Sequence, residues 1–174
     1  MNRTLELLIQ YARYHRDPRN IATHYIGIPM IVFAVGALLA RWRIDAGGLV
    51  ISADAVAWAL ATLWYLRQGI HGVTLATATA TGLLVALAHP LGQAPIAIWL
   101  SGGLGVFIIG WAFQFVGHAW EGRKPAFVDD IRGLLVGPMF VVAELWFALG
   151  GGKDMEAAIV REAGPVARQT PRTT

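Results

Sequence analysis

The chain has 174 residues, about one domain, of which 56% are hydrophobic and 14% charged, with a mean hydropathy of +0.53. Soluble domains carry nearer ~25% charge, so an ordinary water-soluble globule is excluded and a membrane protein is indicated. The net charge of +3 is scattered rather than gathered on one face, which argues against a nucleic-acid partner, and the absence of cysteine excludes disulfides, thiolate metal sites and iron–sulfur clusters.

The first sixteen residues, MNRTLELLIQYARYHR, have an amphipathic pattern rather than that of a cleavable leader. Leu5, Leu8, Ala12 and His15 share one helical face, so His15 points with the apolar stripe, and the helix is expected to lie on the membrane interface. Asp17-Pro18 is a helix start, because Asp accepts hydrogen bonds from free amides and Pro suits the first helical position. His15 then ends one helix and His24 lies in the early turns of the next. Asn20 shares a face with His24, and Gly27 leaves room one turn on. This corner reads either as an interfacial turn with hydrogen-bonded histidines or as two imidazoles aimed at one metal.

Five apolar segments follow: Tyr25–Ala40, Leu49–Leu66, Gly72–His89, Pro95–Gly117 and Gly133–Leu149. A spanning helix takes about 20 residues, and the first segment is short for that. Tight connections imply one compact all-α bundle of four to five transmembrane passes over residues 1–150. Residues 151–174 read as a short surface helix and a flexible tail.

If all five segments span, His15, His24, His71 and His118 share one side and His89 takes the other, with Lys and Arg split eight to six. Dropping the first segment strengthens the charge bias to ten against four but separates His24 from His118. The shared histidine site is the preferred arrangement.

In WAFQFVGHAWEGRKPAF, Gln114, His118 and Glu121 form a polar stripe on one helical face. Such groups are costly in lipid and usually face the bundle interior. Arg123 and Lys124 follow at headgroup level, as interface anchors or as partners for a lipid carboxylate. Glu144 sits inside the last apolar segment, either as a neutral acid bonded to backbone or as a partner to a ligand histidine. Asp54 reads as a boundary or cap residue, while His71 and His89 lie in turns and are expected to face solvent or headgroups. Should the two stretches meet, His15, His24, His118 and Glu121 form an imidazole–carboxylate set suited to Fe(II), Mn or Zn.

These residues resemble the family named for metabolism of phytosphingosine to odd-numbered fatty acids, whose fungal founder is a membrane-bound iron dioxygenase. The likeness rests on Tyr14, His15, Pro18, Asn20, His24 and Pro29, then on Trp111, Gln114, Phe115, Gly117, His118, Glu121, Pro125 and Ala126, with Pro138 and Glu144 beyond. It implies an Fe(2+)-dependent α-oxidation in which a 2-hydroxy fatty acid and dioxygen give the one-carbon-shorter acid and carbon dioxide. It further implies His15, His24, His118 and Glu121 as catalytic metal ligands, with Asn20, Gln114, Arg123, Lys124 and Glu144 supporting them or the substrate. His71 and His89 are not part of that pattern.

The location expected is a multi-pass one in the lipid bilayer, the plasma membrane in a prokaryote or the endoplasmic reticulum in a eukaryote. A homo-oligomer is compatible with the sequence. Two other classes compete: a small ion-coupled transporter, and a non-catalytic lipid-binding membrane protein. Polar groups gathered at segment ends favour the enzyme over the transporter.

Overall fold

The computed structural model describes residues 3–69 and 71–166. Helix α1 (Arg3–Ala12) leads through a tight corner into α2 (Pro18–Leu39). The corner forms as its residues dictate: Asp17 is the N-cap, its side chain accepting from the Arg19 amide, and Pro18 opens the helix. A hairpin of β1 (Arg43–Ala46) and β2 (Leu49–Ser52) follows, then α3 (Ala53–Gln68), α4 (Gly72–Ala88) and a 3-10 turn (His89–Gln93). Helix α5 (Ile96–Leu100), a π-helical turn (Ser101–Gly105) and α6 (Val106–Glu121) make one continuous rod. Helices α7 (Gly133–Ala148) and α8 (Lys153–Ala163) complete the described chain.

Three helical rods are long and apolar enough to cross a membrane: Pro18–Leu39, Gly72–Gln93 and Ile96–Glu121. The pair α7–α8, bent by 117°, meets the same composition test as a broken span or a re-entrant loop. The first apolar segment is therefore not short. Polar residues of its first turns, Asn20, Thr23 and His24, hid seven helical positions from a hydropathy reading, and all three are buried against protein. Helix α3, 16 residues or ~24 Å, runs back from the hairpin to the α1 end, where Thr4 Oγ1 donates to the Gln68 carbonyl. In Ile96–Glu121 only 11% of the most apolar window is buried within the protein, so its outer face is left for lipid.

A short hairpin is set among the helices of the expected all-α bundle. Gly47 and Gly48 both take positive φ (66° and 91°), and Asp45 Oδ1 accepts from the Gly48 amide at 2.8 Å. Two such glycines between extended residues close a two-residue turn, so the second apolar run begins as a strand and becomes helix only at Ala53.

Helices α2 and α6 make the central seam. Gly103, Gly110 and Gly117 recur every seven residues along the Ile96–Glu121 rod. A Cβ on Gly103 would sit 2.6 Å from Leu38 Cδ2, and one on Gly110 would sit 3.0 Å from the Gly27 carbonyl oxygen. Small residues at these crossings let the two backbones approach. That approach brings the start of α2 to the end of α6. Helix α1 packs on α7 and α8 with Leu8 and Ala12 fully buried, and Ile159 of α8 joins the same core. The flexible end expected of the tail lies, from residue 167 onward, outside the described residues.

Candidate metal centre

Three imidazoles meet where α1, α2 and α6 converge. His15, His24 and His118 are 0%, 1% and 6% exposed, and one ring nitrogen from each lies within 4.8 Å of the others. Ring centroids stand 4.5 Å apart for His15–His24, 4.9 Å for His15–His118 and 5.1 Å for His24–His118, all edge to face. Tyr11 stacks flat on His15 at 4.1 Å, and Phe140 tilts against both.

The hydrogen bonds fix the tautomers. His15 Nδ1 lies 2.8 Å from the Tyr11 carbonyl and His24 Nδ1 2.8 Å from the Asn20 carbonyl. A carbonyl only accepts, so each Nδ1 carries the proton and each Nε2 a lone pair. Those two Nε2 atoms face each other at 3.0 Å. Lone pair against lone pair is repulsive unless a cation lies between them. Burial pushes His15 well below its ordinary pKa, and neighbouring His24 adds to the shift, so a proton is disfavoured as that cation. A metal ion fits the donors: three neutral imidazoles, two of them oriented through Nδ1–H to backbone oxygen, as ligating histidines commonly are.

Glu121, expected among the ligands, is not brought into this group. Its Oε1 accepts from the Arg16 amide at 2.9 Å, and Oε2 accepts from the Arg16 amide at 3.0 Å, the Asp17 amide at 2.8 Å and Asn20 Nδ2 at 3.0 Å. It ties the α1–α2 corner to the end of α6, and so sets where His15 and His24 stand relative to His118. Asn20 serves twice, through its side chain on Glu121 and its carbonyl on His24.

Gln114 is buried one turn before His118, and its Nε2 has no hydrogen-bond partner among the described residues. It lines a narrow cleft together with Tyr11, His24, His118 and Trp111. Arg123 and Lys124 are engaged by the protein: Arg123 Nη1 donates to the Arg13 carbonyl at 2.9 Å, and Lys124 pairs with Asp129, which also accepts from the Tyr14 hydroxyl at 2.9 Å. Glu144 is half-buried in the field of Arg16, away from the imidazoles.

Two histidines expected to face solvent or headgroups are partly exposed and also have protein partners. His71 Nε2 meets Thr4 Oγ1 at 2.9 Å at the start of α4. At the opposite end of the bundle, His89 Nδ1 lies 2.7 Å from Asp54 Oδ2, and Arg43 Nη2 donates to His89 Nε2 at 3.1 Å. Asp54, at the helix boundary as expected, in the first turn of α3, is also a buried partner. The hairpin supplies Arg43, so missing the hairpin hid this relay.

Along residues 1–149 the chain matches the Mpo1-like family, described as 2-hydroxy-palmitic acid dioxygenase Mpo1-like. It is 34% identical over 152 residues to the 2-hydroxy-palmitic acid dioxygenase MPO1 of Saccharomyces cerevisiae, covering 86% of this chain and 83% of that one. No solved structure matches it.

Proposed function

Because the chain belongs to the Mpo1-like family, we propose that it is a membrane Fe(II)-dependent dioxygenase that converts a 2-hydroxy fatty acid and dioxygen to the one-carbon-shorter acid, carbon dioxide and water. The observation that carries the metal part is the 3.0 Å approach of two unprotonated Nε2 atoms, completed into a buried trio by His118. Imidazole suits iron among several metals, and three protein ligands leave positions open for substrate and dioxygen. When bound, ferrous iron supplies the redox chemistry by which dioxygen reacts.

The chain's own residues do the rest. His15, His24 and His118 hold the ion, and Glu121 with Asn20 keeps their helices in register. Gln114 offers its free Nε2 to the substrate carboxylate from the cleft wall. Tyr11, whose phenol burial raises, stays protonated as a second donor on the same wall. The trio and its polar surroundings sit at one end of the bundle, where an acid head meets the membrane surface, while the alkyl part is left to apolar walls. That gathering at one end supports an enzyme over a carrier, whose polar groups would run through the membrane thickness.

The test is elemental analysis of the purified protein in detergent after anaerobic iron loading, wild type beside His118→Ala, with oxygen uptake on 2-hydroxypalmitate. Near-stoichiometric iron in wild type, lost in the variant, with oxygen consumed and the shortened acid formed, is the expected result. Absence of bound metal in wild type overturns the reading.

A further inference from the structure

The cleft beneath the histidines adjoins a second, apolar one, with which it shares Ile31, Val32, Trp111, Leu134 and Pro138; the second runs along α2 past Val35 and Gly36 to Leu39, with Val35 and Leu134 exposed at its rim. We infer that this chamber takes the alkyl tail of the substrate whose acid head sits at the trio, and that Trp58 and Asp54 form its end stop and so set the chain length. The inference rests on the proposed 2-hydroxy acid reading for the head, but the chamber has its own evidence.

Its walls are prepared for hydrocarbon. Thr81, the hydroxyl-bearing residue on its α4 side, returns that group to its own helix, donating to the Thr77 and Ala78 carbonyls at 2.8 and 3.1 Å. The Trp58 indole N–H is likewise spent on the Ala78 carbonyl at 3.0 Å, which fixes the ring across the far end. Gly82 makes this placement possible, since a Cβ there would lie 2.8 Å from Trp58 Nε1. Beside the ring, Asp54 is 2% exposed and joined to His89, and through His89 to Arg43. A methylene pushed against that relay would strip a buried carboxylate of its polar surroundings, which is costly. Asp54, Trp58 and Val85 also border a further space toward Ser52 and His89, so on this inference the ring and the buried carboxylate are the partition between the two.

The length follows from the helix. Leu39 is fifteen residues past His24 on α2, about 22 Å at ~1.5 Å per residue. An extended chain of ~1.5 Å carbon–carbon bonds advances about 1.25 Å per bond, so the whole path from the trio to Leu39 matches an acid of about eighteen carbons, head included.

The experiment uses the purified full chain in detergent with two palmitic acid probes, one carrying a diazirine near the methyl end and one near the carboxyl end. After photolysis, mass spectrometry locates the adducts. The expected result is methyl-end labelling in α3 around Ala57 and Trp58 or at Leu39, and carboxyl-end labelling around Gln114 and Pro138. Ala57→Phe, which fills the far part of the chamber, should displace the methyl-end label. It should also lower kcat/KM for the sixteen-carbon 2-hydroxy acid at least about tenfold relative to shorter acids, at unchanged iron content. Methyl-end adducts spread over the lipid-facing helix surfaces, or an Ala57→Phe variant that slows all lengths alike, overturns the inference. Labelling needs neither iron nor oxygen, so chamber adducts in a protein that consumes no 2-hydroxy acid would keep the tail site and remove the dioxygenase reading.

Discussion

Glu121 and Asp17 stand 104 positions apart in sequence and meet at 2.8 Å, backbone amide to carboxylate. With the Arg16 amide and Asn20 Nδ2 on the same group, the carboxylate does for the α1–α2 corner what a helix N-cap does for free amides. The corner holds two histidines and α6 holds the third, so this contact sets the geometry of the trio without joining it. Replacing Glu121 by Ala leaves these donors unsatisfied and should cost about 1–3 kcal/mol of stability. Loosening of the ligand frame should weaken iron binding by about 10–100-fold. Thermal unfolding and iron titration check both. If Glu121 were instead a ligand, the variant would lose stoichiometric iron with no change in metal-free stability.

The facing lone pairs of His15 and His24 give a second, sharper expectation. In metal-free protein the pair is a liability, so His24→Leu, similar in volume and without a lone pair, should be as stable as wild type or more so. Iron in hundredfold excess over its dissociation constant should stabilise wild type by about 2.7 kcal/mol and leave His24→Leu unmoved. Melting curves with iron and with chelator decide this. A metal-free variant that melts well below metal-free wild type would mean that the imidazoles attract through a shared proton.

How far the sequence carried this site depends on the kind of signal. Asp17-Pro18 announces its corner because capping is local chemistry, and the spacing of Gln114, His118 and Glu121 announces a face because helical period is local too. That Glu121 turns toward backbone amides rather than a metal is a long-range fact, set by how α6 meets the corner, and no local pattern encodes it. The start of α2 was obscured because Asn20, Thr23 and His24 lower its hydropathy, although all three are buried in protein rather than exposed to lipid. The Asp54–His89–Arg43 relay depends on a hairpin whose Gly47-Gly48 turn stands just before the apolar run; only its second strand, Leu49–Ser52, lies within that run, where hydropathy alone does not separate strand from helix.

The seam between α2 and α6 should tolerate no added atoms. A Cβ on Gly27 would lie 2.7 Å from the Gly110 carbonyl and run into Gln114 Nε2. Backbone cannot yield as a flexible side chain can, so Gly27→Ala should cost about 1–3 kcal/mol and, by parting the helices, reduce iron occupancy. Gly105→Ala, on the partner rod Ile96–Glu121 with nothing within 4 Å of its added Cβ, is the control and should leave both unchanged. Equal behaviour of the two variants would show that the seam is not what aligns His24 with His118.

Acid should act on this protein through His15 in a defined direction. Burial holds its folded pKa well below the ordinary histidine value of about 6.5, whereas in the unfolded chain it titrates near that value. Between the two the unfolded state binds the proton and the folded state does not. The stability due to the neutral buried ring is therefore present above pH ~6.5 and is lost progressively as pH falls from there toward the folded value. Protons also compete with metal for the same nitrogen, and the depressed value weakens that competition. Iron affinity should then stay level as pH is lowered through the ordinary histidine range, where an exposed three-histidine site would already release its ion. Iron titrations at a series of pH values, paired with denaturant unfolding of the metal-free protein, measure the two effects separately. Loss of iron centred on the ordinary histidine value would mean that the trio is open to water.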